Sequence, residues 1–472
     1  MKLHELGVRE TASLVNSKTL KASEAANYFC TRIKALNPEL NAFSYFDEES
    51  VIREASEIDA RIEQGETLPL AGVAFTVKDN LWMAGAKATF GSNLYKDFIA
   101  PTDSWCVARL RELGAFSLGV TTCSEFACKG TTESPLHGIT KNPWNTALTP
   151  GGSSGGAVAC VSSGIGVLAL GTDAGGSTRR PAAHTGLVGM KPTLGAVPNP
   201  WGFKDPNHLL SVIGQIGKNV EDVAYALHFL TATHATDPLS SPAFSNPTLL
   251  NDLYKPLAHP KVGYVVDLSL GLRIDPDVKQ SLNQAVGTLA NAGIEVESTQ
   301  IPWPDMPSTY ALLELQQAGL AHLYGKEWRI SPEIFDPVIG EQIELGMSVS
   351  GKRIANLMQL RDSIHVSLSN FFKDFDFLIC PTSPVEAWST GQLGPAVIDG
   401  EKASPRDHAA YTPLFNYAGV PAISLPCGVG ANNLPIGMQI VAPKYADSSL
   451  LNFSCAAEKI LNKNLKSPMF NS

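Results

Sequence analysis

No stretch of this chain reads as a membrane span: its most apolar region, Ala157 to Leu170, is short and is broken by Ser162, Ser163, Gly164 and Gly166. It also lacks any long basic run. Its 36 lysines and arginines face 45 acidic residues, a net charge of −9, so neither a nucleic acid nor a membrane is expected as a partner. The eight cysteines, from Cys30 to Cys455, include no CxxC pair and no histidine at zinc-ligand spacing. Even the nearest pair, Cys123 and Cys128, lacks such a neighbour, and buried reduced thiols without a metal are expected. The phosphate-cradling GxxxxGK[ST] is missing too. Finally, "MKLHELGVRE" carries charges where a secretory signal has an apolar core, which points to a cytoplasmic location.

What is present is a large store of apolar residues, 44% of 472, in alternating helix-like and strand-like segments. Ser23 reads as the cap of a helix with Ala26, Phe29, Ile33 and Leu36 on one face, stopped by Asn37-Pro38. A second helix is predicted over 51–63. "LAGVAFTVKDN" reads as a buried strand over 73–77 with Lys78 at its exit. "SWCVARLRELG" reads as a helix closed by Gly114, and "AFSLGV" as the next strand. "GGAVACVSSG" suits a small-residue helix packed close on a sheet, and "IGVLALGTD" a further strand. Such alternation predicts an α/β fold with a sheet covered on both faces. Residues 200–250 and 300–350 are less regular and proline-rich, and "NPTLLNDLYKPLAHP" reads as a surface connection. Strand signals resume at "FDFLICPT", "PAISLPCG" and "IGMQIVAP", so strands from both chain ends share a sheet and one domain is expected, where length alone would allow roughly two to four.

Two glycine-walled serine turns stand out, "TPGGSSGGAVACV" at 149–161 and "TDAGGSTRR" at 172–180. A serine hydroxyl is a poor nucleophile until a base takes its proton, and the oxyanion formed on attack needs preorganised donors. Glycines let backbone N–H groups approach a reacting carbonyl with no Cβ in the way. In the second turn the amides of Ala174, Gly175, Gly176 and Ser177 can form such a nest. The first turn also satisfies G-x-S-x-G through Gly152, Ser154 and Gly156, but "KNPWNTALTP" before it reads as loop, where a nucleophile elbow needs a strand. His408 is the histidine such an elbow would use, and it reads equally as a polar loop residue. A lysine can act as base when burial lowers its pKa. Lys78 fits, although a strand-end lysine can also reach solvent; Lys191, before Pro192, is a second candidate that could instead brace its turn.

Together these stretches resemble the amidase signature hydrolases. The likeness runs almost end to end through "GGSSGGAVACVSSGIGVLALGTDAGGSTRRPAAHTGLVGMKPT". It extends upstream through "LAGVAFTVKDN" and "GITKNPWN", and downstream through "IGQIGKNVEDVAYAL", "DFLICPTSPVEA" and "FNYAGVPAISLPCGV", being weakest over about 235–370. The resemblance implies an α/β/α layered single domain with a large mixed sheet: an N-terminal helical segment (1–65), a signature core (66–230), a variable pocket region (235–370) and C-terminal strands and helix (371–472). It implies a Ser-cis-Ser-Lys triad on Ser177, Ser153 and Lys78. In that scheme Ser177 attacks, Ser153, after a cis Gly152–Ser153 bond, relays the proton, Lys78 is the base, and Ala174, Gly175, Gly176 and Ser177 supply the oxyanion hole. Ser154, Asp173 and Arg179 would support the turn, with no cofactor. Thr178, where the family usually has isoleucine or valine, and the second cation Arg180 are departures expected to bear only on packing of the loop.

Thr131 and Thr132 are expected near the substrate, with His137 a loop residue beside them. The expected activity is cleavage of a small amide, anilide or carbamate-like substrate, in a chain that could be a homodimer. The alternatives are the amidase subunit of a tRNA-dependent amidotransferase, whose substrate-recognition arginine and tyrosine find no match around 300–360, and a non-catalytic scaffold relative. The helices expected in "STYALLELQQAGLAHLYGKEW" and "LGMSVSGKRIANLMQLRD" could line the pocket or the core.

Overall fold

The computed structural model describes all residues except 208–209, 245–247, 257–258, 307 and 472. Eleven strands from residue 43 to residue 441 form one sheet. They are β1 (Phe43–Tyr45), β2 (Ala74–Lys78), β3 (Phe116–Thr121), β4 (Leu168–Asp173), β5 (Val188–Lys191), β6 (Val212–Gly217), β7 (Lys261–Tyr264), β8 (Glu295–Ser298), β9 (Phe377–Pro381), β10 (Ala422–Val429) and β11 (Pro435–Val441). In space they run β1-β3-β2-β4-β6-β5-β10-β11-β9-β7-β8. The pairs β3–β2, β2–β4, β9–β7 and β7–β8 are parallel, and the rest antiparallel. The sheet is mixed, as expected. The seam β5–β10, with Met190 opposite Ile423, joins the two halves of the chain through a continuous ladder.

Every residue of β2, β3, β4, β5 and β6 is buried, which requires cover on both faces. Alternate side chains show what covers each. On β4, Leu168 and Leu170 pack into the core that holds the helices Val220–Leu230 and Asp447–Leu461, while Ala169 turns to the small residues of Gly155–Ser162 and Arg179–Thr185. On β9, Phe377 and Ile379 join the first core, and Leu378 and Cys380 pack against the helices Gly351–Phe371 and Pro413–Tyr417. All eight cysteines are free and buried, matching the expectation from their spacing.

Several local expectations shift. The first long helix spans Ala22–Leu40, with Asp59 of the next helix (Glu48–Glu63) accepting the N–H groups of Ala22 and Ser23 at 2.7 and 3.1 Å. It runs through Pro38 because its end is fixed further on. Asn41, at φ 52°, donates its N–H to Asn37 O, and Asn37 Oδ1 receives the N–H groups of Ala42 and Phe43. Helix Leu313–Ile330 falls on the stretch expected to be helical at 308–328, while Pro337–Met347 is a helix within a part of 300–350 that reads as irregular. Pro337 opens its helix at the first position, where the missing N–H costs nothing. The connection at 246–260 contains a short helix, Leu249–Asp252, beside residues outside the described set. Among the described residues no helix is long and apolar enough to cross a membrane.

Candidate active site

Strand β2 is buried throughout, and its last residue is Lys78, with no solvent exposure. The solvent-reaching alternative is excluded. Its Nζ donates to Ser153 Oγ at 2.8 Å and to Thr172 Oγ1 at 2.9 Å, Thr172 arriving on the neighbouring strand β4. Among the described residues no carboxylate is bonded to this ammonium. Burial therefore dominates and draws its pKa down from the ordinary lysine value to about 8. A neutral amine is thereby accessible near physiological pH, and its lone pair lies within hydrogen-bond reach of Ser153 Oγ.

Ser153 belongs to the turn before the Gly155–Ser162 helix, and the Gly152–Ser153 peptide is cis. Gly152 is required there by space: a Cβ on it would sit 2.5 Å from the carbonyl of Thr131. Thr132 holds the same turn, its Oγ1 donating to Gly151 O and accepting from Gly155 N, both at 2.9 Å. Thr131 Oγ1 is buried without a hydrogen-bond partner among the described residues. Ser154 is buried, donating to Thr172 O at 3.4 Å, while its own N–H reaches Ser177 O at 3.3 Å.

The second turn leaves β4 at Asp173. The Asp173 carboxylate accepts the N–H groups of Gly176 (2.7 Å), Thr178 (3.2 Å) and Arg179 (3.4 Å), folding the turn back on itself. Gly176, at φ +113° and against Thr412, admits no side chain. Arg179 pairs with Asp173 in full burial, Nη2 to Oδ1 at 2.9 Å and Nε to Oδ2 at 3.0 Å, and Asn416 adds a further 2.9 Å bond to Oδ1. Burial alone would raise the Asp173 pKa; the Arg179 charge and these hydrogen bonds outweigh it and hold the carboxyl well below the usual range. Since Asp173 takes the Gly176 N–H, three of the four expected donors stay open: among the described residues no acceptor takes the N–H of Ala174, Gly175 or Ser177.

Ala174, Gly175 and Ser177 line a cavity of about 430 Å³, walled further by Cys128, Lys129, Gly130, Leu312 and Tyr417. Ser154, Thr131 and Thr132 do not line it. His408 does line it, but it packs on Trp388 and bonds to neither serine, and burial keeps it neutral by pushing its pKa well below the usual value. Lys191 is buried at the end of β5, donating to Pro192 O at 2.9 Å, with its pKa drawn to about 7 by burial and then by Arg179. His137 lies beside Asp79 and Thr89, its Nε2 2.8 Å from Thr89 Oγ1.

Arg180 is the main correction. Its guanidinium bridges the two turns, with Nη1 on Gly175 O at 2.5 Å and Nη2 on Gly152 O at 3.4 Å, and it forms part of the cavity wall. Thr412 Oγ1 joins it on Gly175 O at 2.7 Å. Thr172 and Thr412 are not legible as site residues in the sequence, since each stands in a strand or loop with nothing local to mark it. Among the described residues no group of three His, Cys, Asp or Glu side chains could hold a metal ion.

Comparison with known proteins gives a consistent picture. The profile of the family described as Amidase matches residues 24–451. A glutamyl-tRNA(Gln) amidotransferase subunit from Symbiobacterium thermophilum is 33% identical over 470 residues, 93% of this chain and 94% of its own. Among solved structures, a 6-aminohexanoate cyclic dimer hydrolase with bound substrate superposes with a TM-score of 0.89 at 26% identity, covering 99% of this chain and 100% of that one. A bacterial aryl acylamidase of the amidase signature family superposes with 0.87 at 26% identity, covering 97% and 98%.

Proposed function

This chain belongs to the amidase family, and from that premise we propose that it is a stand-alone amidohydrolase cleaving the C–N bond of a small amide, anilide or carbamate-like substrate. The observation that carries the reading is the buried Lys78–Ser153 hydrogen bond, in a turn joined through Ser154 N–H to the carbonyl of Ser177, which itself lines the cavity. In this reading neutral Lys78 accepts a proton through Ser153 as Ser177 Oγ attacks the substrate carbonyl. The open N–H groups of Ala174, Gly175 and Ser177 receive the oxyanion, the amine leaves with the relayed proton, and water releases the acid from the acyl-enzyme by the same route in reverse.

A second reading has its own support. Relatives such as the Symbiobacterium protein belong to amidotransferases, in which an amidase of this kind would deliver ammonia to a partner. The overlay on a 6-aminohexanoate cyclic dimer hydrolase and an aryl acylamidase supports the stand-alone reading instead. The purified chain decides between them. Ammonia or amine release from simple amides and anilides by the chain alone, lost in Ser177→Ala, is expected; turnover only on adding the other amidotransferase proteins would favour the second reading.

A further inference from the structure

Among the described residues four charged side chains line the cavity at Ser177: Lys129, Arg180, Arg406 and Glu341. Three are cations, in a chain whose net charge is −9. Lys129 is already neutralised by a buried contact with Asp336, and Glu341 is exposed at the mouth. The two arginines are different. Among the described residues no carboxylate lies within ion-pair distance of either guanidinium; Asp407, next to Arg406 in sequence, is turned to Arg273 at 2.9 Å.

Arg180 is only 6% exposed. Its Nη1 and Nη2 hold backbone carbonyls of the two serine turns, and its Nε is buried with no acceptor among the described residues. A guanidinium held out of water with no counter-ion is costly, and backbone carbonyls offset only part of that cost. Tyr310, which shares the cavity wall, is neutral and donates its hydroxyl to the Arg406 carbonyl at 2.7 Å, so it supplies no compensating charge. The remaining wall is largely apolar, with Leu312, Val338 and Pro413 among its residues.

We propose that this cavity takes an amide that carries a carboxylate, held by Arg180 and Arg406 while the amide carbonyl lies at Ser177. The proposal rests on the amidase reading for the identity of the amide. The anion itself follows from the unpaired guanidinium groups. Arginine is suited to the task, because its planar fork meets a carboxylate with two parallel hydrogen bonds. Arg180 bonds the carbonyl of Gly175, a residue whose own N–H is one of the open donors, so the carboxylate and the scissile carbonyl belong to one compact molecule.

Calorimetry on Ser177→Ala, with succinamate and butanamide as the matched charged and neutral amides, tests this without turnover. Succinamate is expected to bind about ten- to hundredfold more tightly, the span of a charge-assisted hydrogen bond or two. Adding Arg406→Gln, at a half-buried side chain with no bond to the serine turns, should shrink that ratio to within about threefold. Equal affinities in the parent, or a ratio that survives both Arg406→Gln and Arg180→Gln, would overturn the proposal. Fluorophosphonate labelling of Ser177 in the unaltered chain reads the hydrolase separately: labelling with equal affinities discards the anion subsite alone, and a carboxylate preference without labelling keeps the subsite and discards the hydrolase.

Discussion

At the scale of the residue, the account depends on Lys78. A lysine buried at the end of a hydrophobic strand, bonded only to hydroxyl and carbonyl oxygens, loses its proton more easily than one in water. Its neutral form is the proposed base, so activity should be low where it is charged and should rise with pH. With the pKa at about 8, kcat/KM is expected to climb about tenfold per unit below that value and level off above it; a profile flat from pH 6 to 9 would rule out a lysine base. Lys191 is an internal control, being equally buried and even more depressed, yet bonded to Pro192 O where Lys78 is bonded to Ser153 and Thr172. Lys78→Ala should cost at least about 10²–10⁴ in turnover, the usual worth of a general base, and Lys191→Ala far less. Equal losses in steady-state assays would contradict the assignment.

The elements explain how the two turns come together. Strands β2 and β4 are parallel neighbours with Val77 opposite Leu170, so Lys78, Thr172 and Asp173 emerge at the same edge of the sheet. That much is legible in the sequence: the strand ending in lysine, the small-residue helix and the strand before "TDAGGS" all stand close to their expected bounds. What is not legible comes from long-range contacts. Asp173 and Arg179 are six residues apart, but the pair is completed by Asn416 and Gln439, more than two hundred residues away. Arg180 reads as loop packing because nothing in its local sequence shows that it reaches Gly152. Asp173→Asn leaves Arg179 buried without a charge partner and weakens the acceptor that folds the second turn. It should destabilise the chain by about 3–5 kcal/mol in denaturant unfolding. A loss under about 1 kcal/mol would show that Arg179 is satisfied by its neutral partners.

For the whole molecule, a single mixed sheet built from residues 43 to 441 is the frame, and its single-domain character follows from strand signals at both chain ends. The middle third is hardest to read. Its prolines suggest irregularity, while Pro332 and Pro337 in fact start helical segments, and helices 313–330 and 337–347 close one side of the cavity. Proline at a helix start and proline as a breaker look alike in sequence; only packing separates them. The same segment supplies Tyr310, Leu312 and Val338 to the cavity, far in sequence from the two serine turns.

The central claim is that Ser177, and not Ser154, is the activated serine. The most direct measurement is peptide mapping by mass spectrometry after treatment with a fluorophosphonate, which traps activated serines whatever their fold. The account predicts one adduct, on Ser177, that fails to form in Lys78→Ala. An adduct on Ser154, or labelling of Ser177 undiminished without Lys78, would contradict it.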